Sequence, residues 1–200
     1  MNRAACVPLI GAAILASAIP TSPGLAAPPE APATVSVTPD PQGSSGIVHG
    51  QVDINAPPET VWKVMVDCAR LPQLMVDVKS CRVLQRDPAG RWDMREQISK
   101  GSILPSVRIV MRSDFDEPRS VKFHRTDGDF KVLEGQWLLE PLDGGARTRV
   151  LYESRMTAPF AAPGPIVRAI LRRDMPKTLD NLRTASESAP QTARIAETRP

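Results

Sequence analysis

Few side chains in this sequence have both the type and the setting for acid–base chemistry. Glu96 is the first candidate, because alternation in the run RWDMREQIS places it on one strand face with Trp92, Met94 and Ile98. If that face is buried, desolvation would raise the pKa of the Glu96 carboxyl and suit it to proton transfer. The alternative is a register that differs by one residue, or a rim position beside an arginine, either of which would remove the carboxyl from the interior.

Arg125 and His124, in the run SVKFHRT, are the other polar candidates. A guanidinium at Arg125 could bind a phosphate or carboxylate, or it could pair with an acidic neighbour such as Glu96, as could Arg112. The chain has only two histidines, and no Cys or Asp stands at ligand spacing from His124. There is also no G-x-S-x-G motif. We therefore expect no metal and no cofactor.

Length and charge narrow the class of protein. The 200 residues, 42% of them hydrophobic, suffice for one domain with a real core. The 25 basic and 22 acidic side chains are interspersed, which gives a net charge of only +3. This balance does not predict a nucleic-acid partner.

The two ends of the chain differ in composition from the middle. Residues 1–26 combine Arg3, an apolar stretch and small residues, which is typical of a secretory signal peptide cleaved after Ala26. Residues 27–45 are rich in proline and predict an extended linker. We expect one folded domain over residues 46–188, a flexible tail over 189–200, and a periplasmic or secreted location.

Export affects how the two cysteines of the mature chain, Cys68 and Cys81, are interpreted. Disulfides persist outside the cytoplasm, so a bridge between them is one possibility. Two buried free thiols that pack as small apolar side chains are the other. The sequence leaves both open, because it does not show whether the two Cα atoms approach closely enough.

The order of secondary-structure elements follows from periodicity. Alternation in IVHGQVDIN predicts a strand, and PPETVWKVMVDC and ARLPQLMVDV predict two short helices. Six runs of alternating residues follow, separated by turn sequences, and predict an antiparallel sheet. A long amphipathic helix, which Pro176 should kink or restart, closes the domain.

The last hairpin allows a prediction of register. A two-residue turn at Asp143-Gly144 would place Glu140 opposite Arg147, Trp137 opposite Val150 and Gly135 opposite Tyr152. In that register Glu134 would lie opposite Glu153. One face would then collect the apolar side chains of both strands, and Gly135 would leave room for an aromatic ring over the backbone.

These elements predict an α+β fold in which the curved antiparallel sheet grips the long helix. The run APPETVWKVMVDCARLPQLMVDVKSCRVLQRD, then GDFKVLEGQWLLEPLDGGARTRVLYE, then a helix ending in LDNLR resemble the START-like (SRPBCC) helix-grip superfamily. Within it they are most similar to the polyketide cyclase/dehydrase and coenzyme Q-binding START-like branch. The resemblance spans residues 47–187 and implies a cavity between sheet and helix for a lipid, sterol, quinone or polyketide.

Side chains expected on the inner face would line this cavity. They are Leu74, Met75, Met94, Glu96, Ile98, Met111, Phe123, Arg125, Leu133, Trp137, Tyr152, Met156 and Ile170. Because no convincing catalytic set accompanies them, the first hypothesis is a carrier or binding protein for a hydrophobic small molecule. A cyclase or dehydratase that uses Glu96 is the second, and an interaction or stress module with a closed, dry cavity is the third. The basic long helix could also contact a membrane surface transiently.

Overall fold

The protein is described here from a computed structural model, which covers residues 31–41, 45–100, 106–158 and 163–190. The expected signal peptide and most of the expected tail lie outside these residues. The strands are β1 (Thr34–Thr38), β2 (Gly46–Ile54), β3 (Val78–Arg86), β4 (Trp92–Lys100), β5 (Ser106–Asp116), β6 (Ser120–Gly128), β7 (Val132–Leu142) and β8 (Arg147–Thr157). The α-helices are α1 (Pro58–Val66), α2 (Leu71–Leu74) and α3 (Gly164–Glu187).

The eight strands form one antiparallel sheet in the order β1-β2-β8-β7-β6-β5-β4-β3. α3 packs on it, with Leu179 and Leu182 almost fully buried against the same core cluster as Val52, Ile54 and Val150. The short helices α1 and α2 connect β2 to β3 and cover one end of the sheet. This is the expected α+β helix-grip fold. No helix within the described residues is long and apolar enough to cross a membrane.

Local sequence accounts for where the helices begin. α1 starts at Pro58, whose missing N–H is not needed in the first turn, and Glu59 there complements the positive end of the helix dipole. α3 likewise has a proline in its first turn. Pro176 was predicted to kink the long helix or to restart it. The restart is wrong, because α3 is a single helix of 24 residues that continues through this position.

The prediction of a linker up to residue 45 is wrong for β1. Thr34–Thr38 pairs with β2 along its length, from Thr34 opposite Gln51 to Thr38 opposite Ile47. Val37 is buried in the core, and its carbonyl accepts a hydrogen bond from Arg172 of α3. The segment is short and mostly exposed, so its own sequence pattern does not predict a strand. Its pairing with β2 shows that it is one.

The β7–β8 hairpin differs from the predicted register by two residues. The chain turns over Asp143–Gly145, with Asp143, Gly144 and Gly145 all at positive φ, so the loop is longer than a two-residue turn. Glu140 consequently lies opposite Arg149, Trp137 opposite Tyr152 and Gly135 opposite Ser154. A shift of two preserves the side-chain faces, and the predicted inner face of this hairpin therefore stands.

The same shift changes the partner of Glu134. It lies opposite Arg155 rather than Glu153, and the Arg155 Nη1 to Glu134 Oε1 distance is 3.6 Å. The like-charge contact expected between Glu134 and Glu153 is therefore absent from this strand pair, and an oppositely charged pair takes its place.

Cys68 and Cys81 form a disulfide, the first of the two alternatives, with their Cα atoms 5.3 Å apart. Cys68 lies in a short 3-10 helix between α1 and α2, and Cys81 lies in the edge strand β3. The bridge therefore ties the connection between the short helices to the far edge of the sheet.

Reduction of this disulfide should lower the free energy of unfolding by about 2–3 kcal/mol, because the bridge restricts a loop of that size in the unfolded chain. Urea denaturation with and without reductant measures the difference. The double variant Cys68→Ser/Cys81→Ser is the control and should not respond to reductant. Identical transitions of the wild-type protein under both conditions would contradict this account.

Candidate functional site

An apolar concavity lies between the sheet, the α1–α2 region and the C-terminal half of α3. It has a volume of about 100 Å³. Its boundaries come from three layers of the fold: the inner faces of β4 to β8, the helical connection between β2 and β3, and Thr178 and Leu182 of α3. The cavity therefore occupies the position where the sheet and the helix separate.

Aromatic side chains form much of the sheet wall. The rings of Trp137 and Tyr152 lie 4.3 Å apart between centroids, and Phe123 stacks on Tyr152 at 6.2 Å. Gly135 makes this arrangement possible, because a Cβ there would lie 2.8 Å from the tip of the Phe123 ring and 2.2 Å from the Glu153 carbonyl oxygen. The predicted space above Gly135 is thus filled by Phe123 of the neighbouring strand.

The opposite wall is aliphatic and rich in methionine. It consists of Met65, Val66, Leu71, Leu74 and Met75. Asn181 of α3 donates a hydrogen bond of 3.1 Å to the Leu74 carbonyl and so joins this wall to the long helix. The long, unbranched thioether side chains can change rotamer at little cost, which suits a wall that must adapt to a ligand.

Polar groups enter the cavity from β4 and β5, at Arg95, Gln97 and Ser113. Arg95 is 5% exposed and forms a bidentate ion pair with Asp93, with Nε to Oδ1 at 2.9 Å and Nη2 to Oδ2 at 2.5 Å. Burial also raises the pKa of Tyr152 to about 12, so its phenol is un-ionised at physiological pH. Arg95 is the one charged side chain among the described residues that line the cavity.

Six of the thirteen residues expected to line the cavity do so in the structure. They are Leu74, Met75, Met111, Phe123, Trp137 and Tyr152. Their contact with a ligand stays a prediction, but their convergence around one space follows from the strand faces and the position of α2.

The face assigned to β4 is wrong. Asp93, Arg95 and Gln97 point to the interior, and Met94, Glu96 and Ile98 lie on the outer face of the sheet. The Glu96 carboxylate accepts hydrogen bonds from Arg82 at 3.0 Å and Arg108 at 2.7 Å. These contacts lower the pKa of Glu96, chiefly through Arg108, whereas the buried position expected from the sequence would have raised it.

Four other expected residues lie elsewhere in the fold. Leu133 is buried in a core cluster and Met156 packs against the same cluster, but neither lines the cavity. Arg125 donates to the Gly128 carbonyl at 2.9 Å, at the end of β6. Ile170 is half-buried in the N-terminal half of α3, away from the cavity residues of that helix.

Ten of the sixteen lining residues were not in the predicted set. The helical wall residues Met65, Val66 and Leu71, and Leu182 on α3, could have been found from helical spacing once the helices were placed on the sheet. The β4 residues could have been found only from pairing: Arg95 lies opposite Met111, whose inward direction the alternation of β5 does predict. The remaining missed lining residues are Gln97, Ser113, Phe115, Val121 and Thr178.

The basic residues of α3, proposed to contact a membrane, already have partners in the protein. Arg168, Arg172 and Arg183 donate to backbone carbonyls. Arg173 and Lys177 lie 2.6 and 4.0 Å from carboxylate oxygens of Asp174. Membrane contact through this helix stays a prediction, and these contacts reduce the charge that is free to support it.

The Glu96 contacts predict how stability depends on pH. Because its pKa is lowered in the folded state, the stabilisation by Glu96 is present above the ordinary glutamate pKa of about 4.3 and is lost as pH falls through the lowered value. Glu96→Gln should therefore destabilise the protein at neutral pH and less so in acid. Urea denaturation of both proteins across this range tests it, and a difference that stays constant or grows in acid would contradict it.

Comparison with solved structures supports the fold. The STAR-related lipid transfer protein from Xanthomonas axonopodis matches with a TM-score of 0.66 at 18% identity, over 80% of this chain and 96% of that chain. The Zhui aromatase/cyclase from Streptomyces sp. R1128 matches with a TM-score of 0.61 at 15% identity, over 70% and 93%. The human StarD13 lipid transfer and protein localization domain gives 0.64 at 14%, over 80% and 86%.

A search of the curated proteins found no match. The family model described as polyketide cyclase/dehydrase and lipid transport matches residues 54–183, which is more than half of the chain. This match covers α1 to the C-terminal part of α3 and therefore includes every element that bounds the cavity. The resemblance to the polyketide cyclase/dehydrase branch is confirmed, and the chain belongs to the polyketide cyclase/dehydrase and lipid transport family.

Proposed function

We propose that this protein is an exported, non-catalytic carrier or binding protein that holds a hydrophobic small molecule between the sheet and α3. The ligand would be a lipid, an isoprenoid or quinone, or a molecule of similar character. Residues 1–26 would direct the chain to the periplasm or the exterior and be removed after Ala26. The observation that carries the proposal is the apolar cavity, with its aromatic wall on the sheet and its aliphatic wall on the short helices.

The size of the cavity bears on how a ligand would enter. Sites for drug-sized ligands have volumes of roughly 300–1,000 Å³. The cavity of about 100 Å³ is smaller, so a lipid-sized ligand would have to enlarge it. Met65, Met75 and Met111 line the cavity, and changes of their side-chain rotamers can enlarge it without disrupting the sheet.

The polar groups support binding more than catalysis. The one charged lining residue among those described, Arg95, is engaged by Asp93 and by the Val66 carbonyl. Glu96, the proton-transfer group of the enzyme hypothesis, lies on the outer face between two arginines. The proposal therefore assigns Glu96 a structural role and no part in binding or chemistry.

A matched pair of Met→Trp variants tests the location of the site. Met75 lines the cavity, whereas Met94 is half-buried on the outer face of the sheet. Met75→Trp should weaken binding of the uncharged apolar fluorophore N-phenyl-naphthylamine by about tenfold or more, because the larger ring takes up ligand space. Met94→Trp should bind it as the wild-type protein does.

Fluorescence titration, excited outside the tryptophan absorption band, measures both affinities, and thermal unfolding confirms that both variants fold. Equal effects of the two substitutions would place the binding elsewhere. The absence of saturable binding to the wild-type protein would favour the third hypothesis, a module with a closed, dry cavity.

A further inference from the structure

The disulfide between Cys68 and Cys81 lines a second concavity, a groove that is open to solvent. The groove has a volume of about 620 Å³ and includes the exposed side chains of Lys63 and Arg86. Val66 lines both this groove and the apolar cavity, so the same stretch of chain borders the two spaces. A reagent in the groove would therefore reach a bond that helps to hold the cavity wall.

The two sulfur atoms differ in how easily a reagent can approach them. Cys81 is half-buried and lies on β3, the last strand of the sheet, which pairs with β4 alone. Cys68 is only 9% exposed. Thiol–disulfide exchange requires a thiolate to approach one sulfur of the bond directly. The geometry favours attack at Cys81, with Cys68 as the leaving thiolate.

The charges of the groove favour this reaction. Lys63 and Arg86 line it, and neither forms an ion pair with a described residue. Of the two carboxylates in the lining, Asp67 is paired with Arg70 at 3.3 Å, and Glu117 is the other. Positively charged side chains stabilise a nearby thiolate relative to the thiol. The groove therefore suits both the incoming thiolate and the one that leaves.

The disulfide holds a part of the cavity wall that has no other strong tie to the sheet. On either side of this part, Arg95 donates to the Val66 carbonyl at 3.2 Å and Asn181 donates to the Leu74 carbonyl at 3.1 Å. Between them, no hydrogen bond joins residues 67–73 to a strand within the described chain. The disulfide and apolar packing fix these residues in place.

We propose that the Cys68–Cys81 disulfide is a site of thiol–disulfide exchange with a dithiol that enters through the groove, and that its reduction frees residues 67–73 and speeds ligand exchange in the cavity. The second half rests on the proposed function, since it requires that the cavity bind an apolar molecule. It accounts for a cavity of only about 100 Å³: the oxidised protein is the closed form.

The exchange balances in two steps. One thiolate of the dithiol attacks Cys81 Sγ, the bond between the two protein sulfurs breaks, and Cys68 leaves as a thiolate that takes up a proton. The second thiol of the reagent then attacks its own sulfur in the mixed disulfide and releases Cys81 as a thiol. The protein disulfide gains two electrons and two protons, and the dithiol becomes a cyclic or intramolecular disulfide.

The rate of reduction by dithiothreitol tests the exchange site. Samples are alkylated at intervals, and mass spectrometry of the peptides gives the fraction in which Cys68 and Cys81 are both modified. Native protein should be reduced at most about a hundredfold more slowly than protein unfolded in urea. A bond reached only by global unfolding would react at least several thousandfold more slowly, roughly the ratio of folded to unfolded chains.

A charge variant tests the route of entry. At low ionic strength the double variant Lys63→Gln/Arg86→Gln should be reduced about threefold or more slowly than the wild-type protein in the native state. In urea the two proteins should react at the same rate, which is the matched control. Equal rates in the native state would contradict entry through this groove.

Stopped-flow binding of N-phenyl-naphthylamine tests the link to the cavity. The fluorophore, in excess, is mixed with oxidised protein, with protein reduced by dithiothreitol and desalted, and with the variant Cys68→Ser/Cys81→Ser. The reduced protein and the double serine variant should bind it at least about tenfold faster than the oxidised protein, because every tenfold in rate needs only about 1.4 kcal/mol less barrier. Reoxidation should restore the slow rate.

Thr148→Val separates this effect from a general loss of stability. Thr148 is fully buried and donates a hydrogen bond of 2.7 Å to the Ala56 carbonyl, but it does not line the cavity. Its substitution leaves that carbonyl without its donor and destabilises the fold. The oxidised Thr148→Val protein should nevertheless bind the fluorophore as slowly as the oxidised wild-type protein.

The outcomes separate the inference from the function on which it rests. Equal binding rates of oxidised and reduced protein, equal acceleration in Thr148→Val, or loss of the fold on reduction each overturn the inference while the proposed function stands. Failure of every form to bind the fluorophore overturns the proposed function and the ligand half of the inference. The dithiothreitol kinetics then still decide whether the disulfide is an exchange site.

Discussion

Burial of the apolar stripe of α3 against the concave face of the sheet is the constraint from which the rest of the architecture follows. Leu179 and Leu182 have almost no exposed surface and share one core cluster with Val52, Ile54 and Val150. An antiparallel sheet can bury this helix only by curving around it. The curvature leaves a separation towards β4, β5 and α2, and the cavity lies in that separation.

The walls of the cavity are joined to one another by hydrogen bonds and a disulfide as well as by apolar packing. Asn181 joins α3 to α2, Arg95 joins β4 to the end of α1, and the Cys68–Cys81 disulfide joins the helical connection to β3. These contacts hold the frame of the cavity, while methionine and leucine side chains fill the space between. A rigid frame with an adaptable lining is suited to apolar ligands that vary in shape.

The sequence predicted the fold and six of the sixteen lining residues, and the failures have physical causes. Alternation succeeded on β5 and on the β7–β8 hairpin, where the inner face is the apolar one. On β4 the pattern misled, because Trp92, Met94 and Ile98 face outward. Trp92 lies under the Arg112 guanidinium at 4.4 Å, which partly covers its ring. The inward residues Asp93, Arg95 and Gln97 are polar, so a prediction from hydropathy alone assigns the two faces of this strand the wrong way round.

The central claim, that the cavity between the sheet and α3 binds an apolar small molecule, is tested most directly by native mass spectrometry of the protein isolated from its own cell envelope or culture medium. The account predicts a species heavier than the chain by the mass of one hydrophobic molecule, which dissociates intact and can be extracted and identified. A spectrum of the chain alone, unchanged after incubation with a total lipid extract, would contradict it.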